Sequence, residues 1–545
     1  MKHRLKTYLT ALLACSSLWA AQSGSAATVM VSASISGNTT WFSTNEYILT
    51  GFIYVLNGGV LNIEAGTVIK GQPGTDAATK CLIVTAGGKI FANGTRTKPI
   101  IFTAEADDVT DPNDLPIFQR GLWGGLVLLG KSVLNTTVDA AGNAASPKYE
   151  VFEGLPDSQI SGQFVHRFGG NDDNDSSGVL RYVSIRHGGV VFQPNKELNG
   201  LSLGGVGRGT VIDHVEMYAA ADDGVEFFGG TVNTKYMVSA FNDDDCFDID
   251  QGYRGKNQFW FGIQEPGKKD NGGEWNGEPN GVSVNAAPIG NFEIYNGTWI
   301  GAGTNTTANR ALLVREYGAP RLYNSILTEF GGSAVSVDAK SGIHLTNGLL
   351  DIRDNIFWNF ATNGVAVALA ETAQAQVLFT DASRSNMVMN PLLRSISRTN
   401  RPAFRLDPRP ATNSPALTSP RTPPSNGFYD QVAYKGAFKD VNWATDWTFL
   451  GEACFIATAG AGVPRPPIAA PACSPATLTI IQSGSNVTIS FASVTGKSYE
   501  LRASNDVTAS LNSWSAVSSL TATGASSSFT VPASGLARFF VVICQ

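Results

Sequence analysis

Asp222-Asp223-Gly224-Val225-Glu226 returns 22 residues later as Asp244-Asp245-Cys246-Phe247-Asp248. A repeat of that length with strand-like content is about one coil of a parallel β-solenoid. Strands in successive coils stack about 4.8 Å apart, so residues one coil apart become vertical neighbours. Asp222, Asp223, Glu226, Asp244, Asp245 and Asp248 therefore crowd one corner of the fold. Like charges that close repel unless a cation or protons neutralise them. The doublet implies an architecture and a candidate Ca2+ site, and it names no reaction.

The same rung aligns in both directions. It reads Asn199-Gly200-Leu201-Ser202-Leu203, then Asp223-Gly224-Val225-Glu226-Phe227, then Asp245-Cys246-Phe247-Asp248-Ile249. Fainter echoes stand at Asn280-Gly281-Val282-Ser283-Val284 and Asn363-Gly364-Val365-Ala366-Val367. Apolar positions alternate in each rung, so one side chain points inward and the next outward. The outward position passes from Ser202 through Glu226 and Asp248 to Ser283, a face on which chemistry can sit. The Asn or Asp opening each rung also suits a hydrogen-bonded turn ladder, and this structural reading of Asp223 and Asp245 stands beside the metal one.

Between Gly51 and Ala104 two further coils of short alternating strands are punctuated by glycine turns, without a helical period. This favours an all-β, right-handed parallel β-helix over residues 28–450. Longer spacings elsewhere imply insertions at Asp107–Leu122, Asp139–Asp175 and Gln264–Pro279. Long loops on a rigid scaffold are where binding usually sits. Trp275, in the glycine-rich third insertion, and Tyr253 are the candidate ligand-contacting aromatics. The run Asn171-Asp172-Asp173-Asn174-Asp175 is a second candidate Ca2+ loop, with a solvated turn as the alternative.

A Pro/Ala-rich linker at 451–475 precedes short alternating strands over 476–545, which read as a small β-sandwich. At the other end, Lys2, His3, Arg4 and Lys6 precede an apolar run and small residues to Ala27, the pattern of a signal peptide over 1–27. Leu12-Leu13-Ala14-Cys15 faintly matches a lipoprotein signal and ranks second. The protein is expected outside the cell or on its surface, without a transmembrane segment, as a monomer. The formal net charge of -6 forms no acidic or basic block, which argues against nucleic acid as partner. The cysteines are too few for a disulfide framework. Cys454 and Cys473 are the most plausible pair, and Cys81 and Cys246 are read as small buried hydrophobes.

Several strings resemble a family of secreted bacterial parallel β-helix proteins of pectate-lyase-like fold. They are Leu61-Asn62-Ile63-Glu64-Ala65-Gly66-Thr67-Val68-Ile69, Trp123-Gly124-Gly125-Leu126, Glu226-Phe227-Phe228-Gly229-Gly230, and Tyr434-Lys435-Gly436-Ala437-Phe438. The resemblance implies export and a β-helix, and it supplies no activity. Residues 476–545 resemble accessory β-sandwich domains of secreted proteins.

Two enzyme families of this fold bear on the corner. The Asp-Asp-Gly-Val-Glu and Asp-Asp-Cys-Phe-Asp strings are similar to the Ca2+-binding string of pectate lyases with a lysine base. That similarity implies Lys256, with Arg254 beside it, or Lys235 as the base of a uronate β-elimination. A dense carboxylate cluster raises a lysine pKa, whereas a base needs it lowered. Asp244-Asp245-Cys246 and Arg254-Gly255-Lys256 also match polygalacturonase strings superficially, but no Gly-His-Gly follows. The residues thus point to Ca2+-dependent binding of extracellular polysaccharide or matrix. A uronate-specific lyase is the second reading, and a structural adhesin without a small ligand is the third.

Overall fold

The computed structural model describes residues 27–453 apart from 76–77, 137–148, 194–195, 269, 280–284, 306–308, 362–368, 397 and 399–405. It also describes 455–456, and 479–544 apart from 484, 494–495, 497, 505–514, 525 and 533–538. The signal-peptide reading, the rungs at 280–284 and 363–367, the linker core and the Cys454–Cys473 pairing all lie outside these residues. Chain contacts divide the protein into two compact units, Ala27–Pro467 and one containing Ile468–Gln545.

The rungs form a nine-stranded parallel sheet in strict chain order, from Phe52–Val55 to Val335–Val337. Registers agree with the alternation in the sequence. Leu201 pairs with Val225 and Val225 with Phe247, while Ser202 pairs with Glu226 and Glu226 with Asp248. Leu201, Leu203, Val225, Phe227, Phe247 and Ile249 are fully buried inside the coil. Parallel strands returning to the same sheet coil after coil make this a parallel β-helix.

The remaining walls belong to an 18-stranded sheet. Its longest strands, Gly178–Arg186, Val211–Tyr218, Asn233–Ala240 and Lys256–Ile263, each serve two walls. Each contains one left-handed residue in mid-strand: Tyr182 (φ 48°), His214 (φ 56°), Tyr236 (φ 55°) and Phe259 (φ 59°). A single left-handed residue breaks the two-residue alternation and turns the strand onto the next wall. Their rings stack from coil to coil at 4.3, 4.3 and 4.8 Å between centroids. In later coils the corner passes to Asn296, Asn324 and Asp354, residue types that tolerate this conformation better.

After the last coil the chain returns along the solenoid as a strap. Phe438, Trp447, Phe449, Leu450 and Phe455 pack on Tyr218, Val238, Phe241, Phe261 and Ile300. Buried polar groups lock it there. Arg186 pairs with Glu452 at 2.7 Å. Glu216 accepts the Ser184 hydroxyl at 2.6 Å and the Phe449 and Leu450 amides at 2.6 and 3.2 Å. Burial raises the Glu216 pKa, while Arg186 and these donors pull it back.

In the C-terminal unit, two three-stranded antiparallel sheets share one apolar cluster that includes Phe491, Tyr499, Leu501 and Phe529. Cys81 and Cys246 are unpaired and buried, as expected of small core hydrophobes. Among the described residues no helix is long and apolar enough to cross a membrane.

Candidate functional site

Two parallel columns build the acidic corner on the outer side of the nine-stranded sheet. The first is the turn column that opens each rung. Asp223 Oδ1 accepts the Asp245 amide at 2.9 Å, and Asp245 in turn accepts the amide of Asn271. The second is the outward column of the strands, where Ser202, Glu226, Asp248 and Glu274 follow one another in register. Asp222 and Asp244 flank the turn, joined by the Asp244 amide donating to the Asp222 carbonyl at 3.3 Å.

Carboxylate oxygens converge in two groups that share one residue. Asp222, Asp223 and Asp244 form one, and Asp223, Glu226 and Asp248 the other, with the oxygens of each group within 4.8 Å of one another. Asp244 stands at the exposed rim, whereas Asp223 and Glu226 are buried. Among the described residues, none of these five is ion-paired to a lysine or arginine.

Burial followed by neighbouring charge explains the electrostatics. Asp222 is pushed up to about 8 by desolvation and then by Asp244. Asp244 rises to about 7 by desolvation and then by Asp270. Asp223, Glu226, Asp245 and Asp248 are all raised well above their usual values, again by burial first. Such a corner binds protons or a cation, because bare carboxylates without either are strongly disfavoured there.

Asp245 lies beside the two groups but outside both, and Asn271 engages both of its oxygens. These bonds are those of the turn-ladder reading. Just past the rim, Asp243 is held by Arg120 and Lys268, and Arg120 also pairs with Glu265.

The aromatic expectations are corrected. Trp275 lies on the rung strand Gly273–Asn276, whose register with Phe247–Ile249 turns its ring into the core at 0 % exposure. Tyr253 is equally buried, with its hydroxyl 2.8 Å from both the Val232 carbonyl and Asn257 Oδ1. Neither ring reaches solvent: Gly273–Asn276 belongs to a coil and not to the expected loop, and the turn after Phe247–Asp250 directs Tyr253 inward.

The basic residues do not join the corner either. Arg254 pairs with Asp173 at 2.6 Å and donates to the carbonyls of Val133 and Gly252. Asp173 also accepts from Ser132 and the Val133 amide, so the Asn171–Asp175 run is a structural clamp here. Lys235 pairs with Asp430 at 2.8 Å. Lys256 is exposed at the start of Lys256–Ile263 and pairs in register with Glu293 on the other sheet. Lys256→Ala is accordingly expected to leave thermal stability within error of wild type, as melting curves would show.

Two carboxyls beside the corner, Glu274 and Asp250, are not among the expected ligands, while Asn199 and Ser202 are expected as members of the rung and not as ligands. Asp250 is pushed up to about 7 by burial. Glu274 follows Asp248 by 26 residues, and Asn271-Gly272 repeats the Asn199-Gly200 opening. That opening dipeptide was the available signal.

A family model described as a pectate-lyase like beta helix domain matches residues 33–390. No curated protein and no solved structure matches the chain. With its rungs in register over nine parallel strands and a family match spanning about two thirds of its length, the chain belongs to the pectate-lyase-like β-helix domain family.

Proposed function

We propose that this is an exported β-helix protein that binds extracellular polysaccharide or matrix through Ca2+ held at the rim of the acidic corner, by Asp222, Asp223 and Asp244. The carrying observation is the convergence of these carboxylates without a basic partner. Ca2+ takes about six to eight oxygens at 2.3–2.6 Å in flexible geometry, which a three-carboxylate rim supplies in part. The rest of the shell is left to water or to anionic and hydroxyl groups of a polymer, because Asp244 faces solvent. A long rigid wall lets weak contacts repeat along a polymer and sum. The signal-peptide pattern of the sequence supports export. Family membership supports a surface or polysaccharide-related role.

Binding is favoured over β-elimination because neither Lys235 nor Lys256 is brought to the corner. The test is calcium titration calorimetry on the mature protein beside an Asp222→Asn/Asp244→Asn variant, followed by affinity electrophoresis in anionic polysaccharide with and without chelator. Calcium binding lost in the variant, with chelator-sensitive retardation and no ultraviolet-absorbing unsaturated product, is the expected result. Absence of calcium binding by the wild type would sink the reading. Appearance of the unsaturated product would replace it with the lyase.

A further inference from the structure

The rim accounts for only part of the corner. Its inner half contains Asp223 and Glu226, both buried, and the half-buried Asp248, and their oxygens converge within 4.8 Å of one another. Asn199 and Ser202 line the same place from the preceding coil. Asn199 is 1 % exposed and Ser202 0 % exposed. The Asn199 amide head sits among these groups, with Nδ2 donating to Glu226 Oε2 at 2.8 Å and to Ser202 Oγ at 3.3 Å. Its Oδ1 is buried there and has no hydrogen-bond partner. A buried amide oxygen left over beside three converging carboxylates is an arrangement that a cation completes and a purely hydrogen-bonded ladder does not.

We propose that a second divalent cation of the calcium class binds in this inner half, held by Asp223, Glu226 and Asp248 with Asn199 Oδ1 and Ser202 Oγ as neutral oxygens, and shares Asp223 with the ion at the rim. Charge favours a pair of ions. One divalent ion among these five carboxylates, all ionised, leaves three negative charges, whereas a second leaves one. The donor set favours calcium over magnesium. Carboxylate, amide and hydroxyl oxygens from three successive coils give an irregular shell, while magnesium demands near-octahedral geometry at about 2.1 Å. The positions also divide the labour. The rim ion has solvent on one side and is placed to meet a polymer. The inner ion sits against the buried Asp223, Glu226, Asn199 and Ser202 and ties three coils together through Ser202, Glu226 and Asp248, so its effect falls on stability.

This inference extends the corner reading proposed above, and one experiment separates the two. Calcium is titrated calorimetrically into the mature wild type, Glu226→Gln and Asp244→Asn, each first stripped with chelator, and the melting temperature is followed in parallel. Two calcium ions per wild-type chain are expected. Glu226→Gln should bind one and lose most of the calcium-induced rise in melting temperature. Asp244→Asn should also bind one and keep most of that rise. A single wild-type ion removed by Asp244→Asn and untouched by Glu226→Gln would overturn the inner site and leave the rim standing. A single ion removed by Glu226→Gln alone would retain the inner site and sink the rim. No binding by the wild type would overturn both. Because Glu226→Gln conserves shape and removes only charge, its circular dichroism spectrum at low temperature should match wild type. If it does not, Ser202→Ala and Asn199→Ala carry the same test, with the expected loss of one ion in either variant supporting the site and retention of both in each overturning it.

Discussion

Arg186→Met is expected to lower the stability of the β-helix unit by about 3–5 kcal/mol, the usual cost of removing one partner from a buried ion pair. Arg186 is 0 % exposed and serves three groups at once. It pairs with Glu452, donates from Nε to Ser184 Oγ at 2.8 Å, and lies 4.9 Å over the ring of Phe449. Methionine keeps much of the apolar contact and deletes the charge. Glu452 and the fully buried Glu216 then face each other's field without a cation, and the strap that both hold loses its fastening. Urea denaturation followed by tryptophan fluorescence should show the loss, since Trp447 and Trp443 lie in that strap. A change below about 1 kcal/mol would show that the strap is held by its apolar face alone. Arg186→Met combined with Glu452→Leu should recover part of the loss, because a buried pair replaced by apolar groups of similar volume is often neutral.

The second large effect concerns pH, and its two limbs have opposite origins. In the absence of metal, Asp222 and Asp250 titrate in the folded protein near 8 and 7, against about 3.8 when unfolded. A carboxyl whose folded pKa is raised contributes stability below its unfolded pKa and loses it as pH rises through the folded value. Stability in chelator should therefore fall between about pH 4 and pH 8, by roughly 1.4 kcal/mol per pH unit for each proton released. On the proposed reading, saturating calcium flattens this limb, because a cation at the corner would favour the ionised carboxylates. His166 and His187 work the other way. Burial lowers both pKa values from 6.5, so they contribute stability at neutral pH and lose it as pH falls below that value. His166 is held by the Tyr54 hydroxyl at 2.9 Å and the Pro156 carbonyl at 2.6 Å, with no room for solvation. Melting temperatures from pH 4 to 9 with and without calcium would check both. An alkaline limb equally steep with calcium present would exclude metal from the corner.

The fold was legible because its signal is repetition. A 22-residue spacing and inward-outward alternation specify which residues stack, and the registers Val225–Phe247 and Glu226–Asp248 follow from them directly. Legibility failed where coil length changed. The step from Phe247 to its partner Gly273 is 26 residues, so the Gly-rich stretch around Trp275 reads as a loop by composition although its ring fills the core. Residue type misled for the same reason at Tyr253 and Arg254. A tyrosine and an arginine beside an acidic string suggest ligand contact, but the turn Asp250–Gly255 directs one inward and the other to Asp173. The carboxylates were found because their meaning depends only on register. The aromatic and basic partners depend on where each turn points, which a single sequence does not encode in any short pattern. The strap was invisible for a similar reason, since Phe438, Trp447 and Phe449 carry no periodicity that names the coils they cover.

That strap changes how the molecule should respond to force. Coils of a bare solenoid touch only their neighbours, so such a rod peels from its ends one coil at a time. Here a single covalent segment grips the coils at Tyr218, Val238, Phe261 and Ile300 together. Tension arriving through the chain beyond Ile456 would load those coils in parallel, shearing them as a block together with the coil at Arg96, which is tied to Asp446 and Thr445 of the strap, while the coils ahead of it unravel singly. Pulled from its C-terminal end, the rod should give one large rupture followed by a train of small ones.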